Sequence, residues 1–382
     1  MAKKMGIVVM FKINSGGGGP RVVVDLIKAL NNFGYGVYFF SPWKLDFKKI
    51  EELFEPITIK KEYFLSTQKN RFCIEPNLSR KLMRKEFIKM AEDVDFIIDI
   101  DGGILHDYLP RDRKYIIWRI SGIEGEESVL KKYGWKIRFK KMIKDWITPH
   151  KNTLSKEHGI YAVDDWTNQM LKDRWYLDPQ KLCLYPAIKT KDILYKPSIK
   201  KNQAIILGRI SPNKMIDESI RIFARGAKDS DYTLKIVGGL TPDSEDYKKN
   251  LEEIAKEEGI LQKIEFVGNP SFDELRKKVE ESRILIESQR EISLTMTSIE
   301  CLAAGVVVLV HKNGGTFREV LEQGKYGVGF ESIEEGSEKL RKIIQGLEQK
   351  KINPHKFIHR AEFFSEENFQ NRLKTILKEN DM

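Results

Sequence analysis

The 382-residue sequence has little cysteine: Cys73, Cys183 and Cys301 stand far apart along the chain. That scarcity excludes a disulfide framework and a cysteine-based zinc site, and it fits a reducing compartment. Of the six histidines, only His355 and His359 share helical ligand spacing, and no third ligand lies near them, so the pair reads as ordinary. No apolar run approaches the ~20 residues that span a bilayer. The opening MAKKMGIVVMF is too short in its apolar part for a secretory leader and runs straight into glycines. Heptads, repeats and low-complexity tracts are also missing. These absences leave a cytoplasmic chain, soluble or peripheral to a membrane, and long enough for two domains. A formal net charge of +10 points to an anionic partner: nucleic acid, a membrane surface or a phosphorylated small molecule.

What is present is a rhythm. Short β-branched runs (Gly6–Phe11, Gly36–Ser41, Phe96–Ile100, Tyr115–Ile120) alternate with helical patterns in the first half. The second half repeats it with Ala204–Leu207, Leu234–Val237, Ile264–Val267, Ile284–Glu287 and Val306–Val310. Val22–Leu30, Asp246–Glu258 and Asp273–Ser282 read as helices between them. The pattern is α/β, parallel sheets built from βαβ units twice over. The polar stretch 190–203, with Pro197, reads as a linker. It separates a first domain, 1–189, from a second, 204–359, and SEENFQNRLKTIL within 360–380 reads as a closing helix. Two such doubly wound domains are expected to face each other across a cleft, with ligands beyond the carboxyl ends of the strands.

Three motifs carry chemistry. NSGGGGPRVVVDL joins a strand to a helix through four glycines, which suits a backbone cradle for phosphate; a plain flexible turn is the alternative. It is not a GxGxxG fingerprint, and no acidic residue closes the next strand, so a plain dinucleotide site is not expected. ILGRISPNK sets Arg209 just after a strand and Lys214 five residues on. Two fixed cations there suit a diphosphate, although alone they are equally a solvated pair. ESQREISLTMTSIECLAAGVVVLV then reads as strand, small polar loop, and a helix opening at Thr297 or Ser298 that carries Glu300. Glu300 could accept hydrogen bonds from ribose hydroxyls or sit in a helix salt bridge.

GRISPNK, REISLTMTSIECLAAGVVVLV and NGGTFREVL together resemble the donor-binding domain of glycosyltransferase family 4, which has the GT-B fold of two Rossmann-like domains. VDDWTNQMLKDRWYLDPQKLCLYPAI resembles the family's interdomain segment and RAEFFSEENFQNRL its closing helix. GGGGPRVVVDL is similar to its acceptor-side glycine loop, closest to the form in mannosyltransferases that extend dolichol-linked glycans. The resemblance implies retaining transfer of a hexosyl group from a nucleotide-diphosphate sugar to a glycan or polyprenyl-phosphate-linked acceptor, with no further cofactor and no metal. GDP-mannose is the implied donor, with UDP-sugars open. Arg209 and Lys214 match the pair that neutralises the leaving diphosphate, and Glu300 the ribose-binding glutamate. Leu294, Thr295, Met296 and Thr297 match the loop that meets sugar and phosphates. Gly268 and Asn269 fall where the family holds the base, and Gly17 and Gly18 match the loop opposite.

Three departures stand out. The family's two glutamates are separated by seven residues, but Glu291 and Glu300 are separated by eight, with Ile292 in the strict position. Either Glu291 is shifted by a bulge or its sugar contact is lost. YIIWRISG, with Trp118 and Arg119, replaces the region of a sugar-side histidine, leaving His106 as a substitute or a plain loop histidine. Pro20 replaces a common glutamate after the glycine loop. The DID at Asp99–Asp101 resembles a metal-binding DxD, but its surroundings fit GT-B better. Competing readings are a phosphorylase or epimerase of the same fold, a degenerate transferase that binds nucleotide sugar without turnover, and a basic nucleic-acid-binding protein. The last lacks any nucleic-acid motif, so no nucleic acid is expected.

Lys131–Ile147 holds seven basic residues and one acid, with Trp135, Phe139, Met142, Ile143 and Trp146 on one helical face. Such a helix can lie on an anionic membrane, or pack on its own sheet with its lysines solvated. If it docks on lipid, anionic-liposome binding falls with salt and with combined Lys140, Lys141 and Lys144→Glu exchange; binding unchanged in that variant removes the idea.

Overall fold

Strands with apolar residues on both faces require cover on both faces, and parallel βαβ winding supplies it. The computed structural model describes residues 3–65, 76–100, 108–109, 113–120, 159–175, 177–240 and 244–382. They form two units: Met1–Tyr185 with Phe369–Met382, and Pro186–Asn368.

The first unit holds strands β1 (Lys4–Val9), β2 (Gly36–Phe40), β3 (Lys61–Tyr63), β4 (Phe96–Ile100), β5 (Lys114–Arg119) and β6 (Gly159–Ala162). They form one sheet in the order β3-β2-β1-β4-β5-β6, and every neighbour pair is parallel. Helices α1 (Gly18–Asn32), α2 (Phe47–Leu53) and α3 (Pro76–Asp93) connect strands, and α4 (Asp165–Trp175) follows β6. The second unit repeats the scheme with β7 (Gln203–Leu207), β8 (Thr233–Gly238), β9 (Ile264–Gly268), β10 (Ile284–Glu287), β11 (Val307–His311) and β12 (Val328–Phe330). Its order is β12-β11-β10-β7-β8-β9, again all parallel. Helices α5 (Ile216–Gly226), α6 (Glu245–Glu257), α7 (Phe272–Glu281), α8 (Met296–Ala303), α9 (Ile333–Glu348) and α10 (His355–Glu362) surround this sheet.

The central strands FIIDI, QAIIL and VVLVH are buried at every position, as double cover demands. Both sheets reverse their winding once, between β1 and β4 and between β7 and β10. Such switch points are where open α/β sheets bind ligands. Side-chain caps fix helix starts: Ser271 accepts from the Glu274 amide at 3.2 Å, and Ser332 from the Glu335 amide at 3.2 Å.

The closing helical segment is two helices, α10 and then α11 (Glu366–Glu379), broken around Phe363–Ser365. On α11, Phe369, Leu373, Ile376 and Leu377 are buried. The Phe369 ring lies 5.8 Å from Trp118, whose indole N–H donates to the Leu184 carbonyl at 3.0 Å. Trp118 is therefore a core residue, not a surface contact. Cys183 and Cys301 are buried free thiols, one in each unit, and burial beside Glu300 pushes the Cys301 thiol well up. No described helix is long and apolar enough to cross a membrane. The basic stretch 131–147 lies outside the described residues.

Phe369→Ala removes the ring that seals Trp118, at a cost of about 3–5 kcal/mol. The expected result is a clearly lower urea midpoint.

Candidate functional site

At the second sheet's switch point the loops leaving β7 and β10 diverge; Arg209 and Lys214 lie on the first, and Glu291, Leu294 and the start of α8 on the second. β7 ends in Gly208, whose φ of 138° suits glycine. Its carbonyl crowds Gly238 at the end of β8, where an added Cβ would sit 1.8 Å from that oxygen. The ladder continues past both strands through Gly208 N–H to Val237 O (3.1 Å) and Ile210 N–H to Gly239 O (2.9 Å). Arg209 is thus fixed by its backbone on both sides while its side chain stays exposed.

Pro212–Lys214 form a single tight turn, closed by Met215 at φ 49°. The turn lays the Lys214 stem against Gly208, where an added Cβ would meet Cε at 3.3 Å. The Lys214 ammonium donates to Oε1 of buried Gln289 at 2.6 Å, tying the β7 loop to the β10 loop. Behind it, the Ser288 and Ser219 hydroxyls are 2.8 Å apart. Arg290 pairs with Glu218.

Glu291 adopts the left-handed conformation, φ 56°. Its amide donates to Asn313 O at 2.7 Å, and its Oε2 is shielded from solvent with no hydrogen-bond partner among the described residues. A sequestered carboxylate oxygen of this kind is costly unless a donor reaches it.

Thr295, not Thr297 or Ser298, stands at the cap of α8, and Met296 is already helical. The reason is that Thr295 is held extended: its amide donates to Thr316 Oγ1 at 3.0 Å and its hydroxyl to Glu287 at 2.9 Å. Ser298 donates to the same Glu287 oxygen at 2.7 Å. No side chain caps α8, so the amides of its first turn and its dipole are available to an anion. Leu294 is buried, Met296 and Thr297 are partly exposed, and Glu300 is buried one turn in.

Gly268 ends β9, and Asn269 follows at φ 50°. The Asn269 side chain accepts from the Leu240 amide (2.9 Å) and donates to the Leu240 carbonyl (3.1 Å), so it fixes the neighbouring loop. In the first unit, Gly17 at φ 122° precedes α1 and Gly18 opens it. An added Cβ at Gly16 or Gly17 would meet nothing within 4 Å among the described residues. His106 lies outside the described residues. Asp99 is buried in β4 and takes the Tyr115 hydroxyl as donor. Among the described residues no group of three or more His, Cys, Asp or Glu is placed to hold a metal ion.

Gln289, Glu287, Thr316, Asn313 and His311 were not singled out from sequence. Gln289, Asn313 and Thr316 act through partners distant along the chain, which leaves no local pattern.

A family model described as "Glycosyl transferases group 1" matches residues 191–362. The match lies within the second unit. It is 26% identical over 168 residues to the mouse (Mus musculus) GDP-Man:Man(3)GlcNAc(2)-PP-Dol alpha-1,2-mannosyltransferase, covering 41% of the chain and 34% of that protein. It thus spans about a third of that relative's length, 34%. An uncharacterized glycosyltransferase of Haemophilus influenzae is 22% identical over 380 residues, 94% of each chain. Among solved structures, a glycosyltransferase from Rickettsia africae superposes with a TM-score of 0.72 at 18% identity over 99% of this chain and 98% of that one. Anabaena HepE in complex with UDP and glucose does so at 0.70 and 14%, over 99% and 100%. The fold of this group 1 glycosyltransferase is accordingly GT-B.

Gly238→Ala forces the β7 and β8 ends apart, which costs about 1–3 kcal/mol as overpacking. Gly16→Ala, in open space, stays within about 0.5 kcal/mol. Urea unfolding of the two variants checks the contrast.

Proposed function

We propose that this group 1 glycosyltransferase is a retaining enzyme that moves a hexosyl group from a nucleotide-diphosphate sugar to a glycan or polyprenyl-phosphate-linked glycan. The observation that carries the reading is the Lys214–Gln289 bond, which ties the loop after β7, with Arg209, to the loop after β10, which leads to the amino end of α8. Three sources of positive charge on fixed backbone suit the diphosphate that departs when the sugar bond breaks.

In this reading the second unit holds the donor and the first the acceptor. The diphosphate leaves the anomeric carbon as the acceptor hydroxyl arrives on the same face. Arg209, Lys214 and the amides of Met296 and Thr297 take up the developing negative charge. Fixed donors of this kind need little reorganisation as charge develops, which is the main source of such catalysis. Holding both substrates together supplies the rest. Glu300 accepts from ribose hydroxyls, and Glu291, with its unpartnered oxygen, accepts from the hexose. Leu294 and Thr295 wall the sugar and Gly268 and Asn269 the base, while Gly17 and Gly18 form the first unit's phosphate or acceptor loop. GDP-mannose is the preferred donor because the mannosyltransferase relatives carry it in their names. The HepE complex supports UDP-sugars as the second choice. The enzyme works in the cytoplasm, at the membrane face where a lipid-linked acceptor is presented.

The test is transfer from GDP-mannose or UDP-glucose to a polyprenyl-linked glycan. Arg209→Ala and Lys214→Ala are expected to keep the wild-type thermal midpoint and lose about 10²–10³ in rate. Wild-type rates in both variants would refute the assignment.

A further inference from the structure

The loop carrying Glu291 does not hold its own shape. Hydrogen bonds fasten it to the loop after β11. Glu291 N–H donates to Asn313 O (2.7 Å), Gly315 N–H to Ile292 O (2.8 Å), and Thr295 N–H to Thr316 Oγ1 (3.0 Å). Asn313 is fastened in turn: its own N–H donates to Nδ1 of His311 at 3.1 Å. His311 is the last residue of β11, buried, with its ring edge-on to Phe330 at 5.6 Å. Because Nδ1 accepts, the imidazole acts as the neutral form, with its proton on the other nitrogen; the Glu331 backbone also hydrogen-bonds the ring.

We infer that His311 is a positioning residue: as a neutral acceptor it holds Asn313, which holds the left-handed turn that aims the Glu291 carboxylate at the hexose of the donor. The inference rests on the donor-binding reading above. It explains how a chain with one residue too many between its glutamates keeps a carboxylate at that place. The extra residue demands a left-handed turn at a non-glycine position, an unfavourable conformation that survives only when neighbours over-determine it. The loop after β11 supplies those neighbours.

The arrangement depends on pH. Burial, reinforced by the Arg290 guanidinium, holds His311 below its ordinary value, while Glu331 and Glu335 pull the other way. Lys312 is engaged with both of those carboxylates, at 3.1 and 3.4 Å. A histidine lowered in the fold binds its proton more readily when unfolded. The stability it contributes is therefore complete above the ordinary value near 6.5 and declines as pH falls below it toward the folded value. Protonation removes the acceptor, and Asn313 is released.

The experiment uses the whole chain and the variants His311→Phe, His311→Asn and Glu291→Gln. Phe keeps a ring against Phe330 without an acceptor, whereas the Asn amide oxygen can stand where Nδ1 stood. Two readouts are taken: amide exchange protection of 288–296 and 312–316, and affinities for GDP-mannose and UDP-glucose beside GDP and UDP. His311→Phe is expected to lower protection in both segments about tenfold, the scale of one lost hydrogen bond. It should weaken the sugar nucleotide to a similar extent and leave the bare nucleotide unchanged. His311→Asn should restore both, and His311→Phe should weaken sugar-nucleotide binding no further in a Glu291→Gln background. In wild type, protection of these segments should fall as pH drops below the ordinary histidine value near 6.5 toward the lowered folded value, with no such step in His311→Asn; this arm decides the clamp if His311→Phe does not fold. Unchanged protection in His311→Phe, or equal weakening of nucleotide and sugar nucleotide, overturns the inference. If wild type binds neither nucleotide nor sugar nucleotide, the donor reading fails, and with it the role of His311 toward the hexose.

Discussion

A parallel sheet that reverses its winding sends the chain off two adjacent strand ends toward opposite faces. In the second unit those ends are β7 and β10, and Lys214 spans the divergence by donating to Gln289. That bond turns two independent loops into one object. Without it, Arg209 and Lys214 belong to one loop and the start of α8 to another. With it, the loop after β7 is tied to the loop that leads to α8, as the proposed diphosphate site would require.

The frame is rigid for reasons that lie in backbone geometry more than in side-chain packing. Gly208 and Gly238 let the ends of β7 and β8 approach with no side chain between them. The Glu287 carboxylate gathers the hydroxyls of Thr295 and Ser298, which sets where α8 begins. Arg209 can therefore stay exposed without being loosely placed: its main chain is bonded to β8 on either side. An exposed cation contributes little to stability.

Much of this was legible in the sequence because the central strands are continuous apolar runs with glycine at their ends. Phe96–Ile100 and Ile284–Glu287 stood out at their observed limits. The edge strands Lys61–Tyr63, Gly159–Ala162 and Val328–Phe330 did not, since three or four residues carry no usable period. At the site, GRISPNK and the Glu300 helix were readable from charge and glycine placed after strands. The clamp on Glu291 was not, because His311, Asn313 and Thr316 act from another strand's loop, and a bond between residues 21 apart leaves no spacing to detect. The cap of α8 fell earlier than Thr297 for the same reason: a tertiary bond to Thr316 outweighed local preference.

Each half of the molecule carries a buried thiol, Cys183 in the first and Cys301 in the second. Thiolates, not thiols, react with alkylating reagents, and burial suppresses both access and ionisation. Labelling at either position therefore waits for its own half to open. Peptide-resolved alkylation rates would time the two halves separately within a single unmodified chain, and would tell whether they come apart as one cooperative body or in succession.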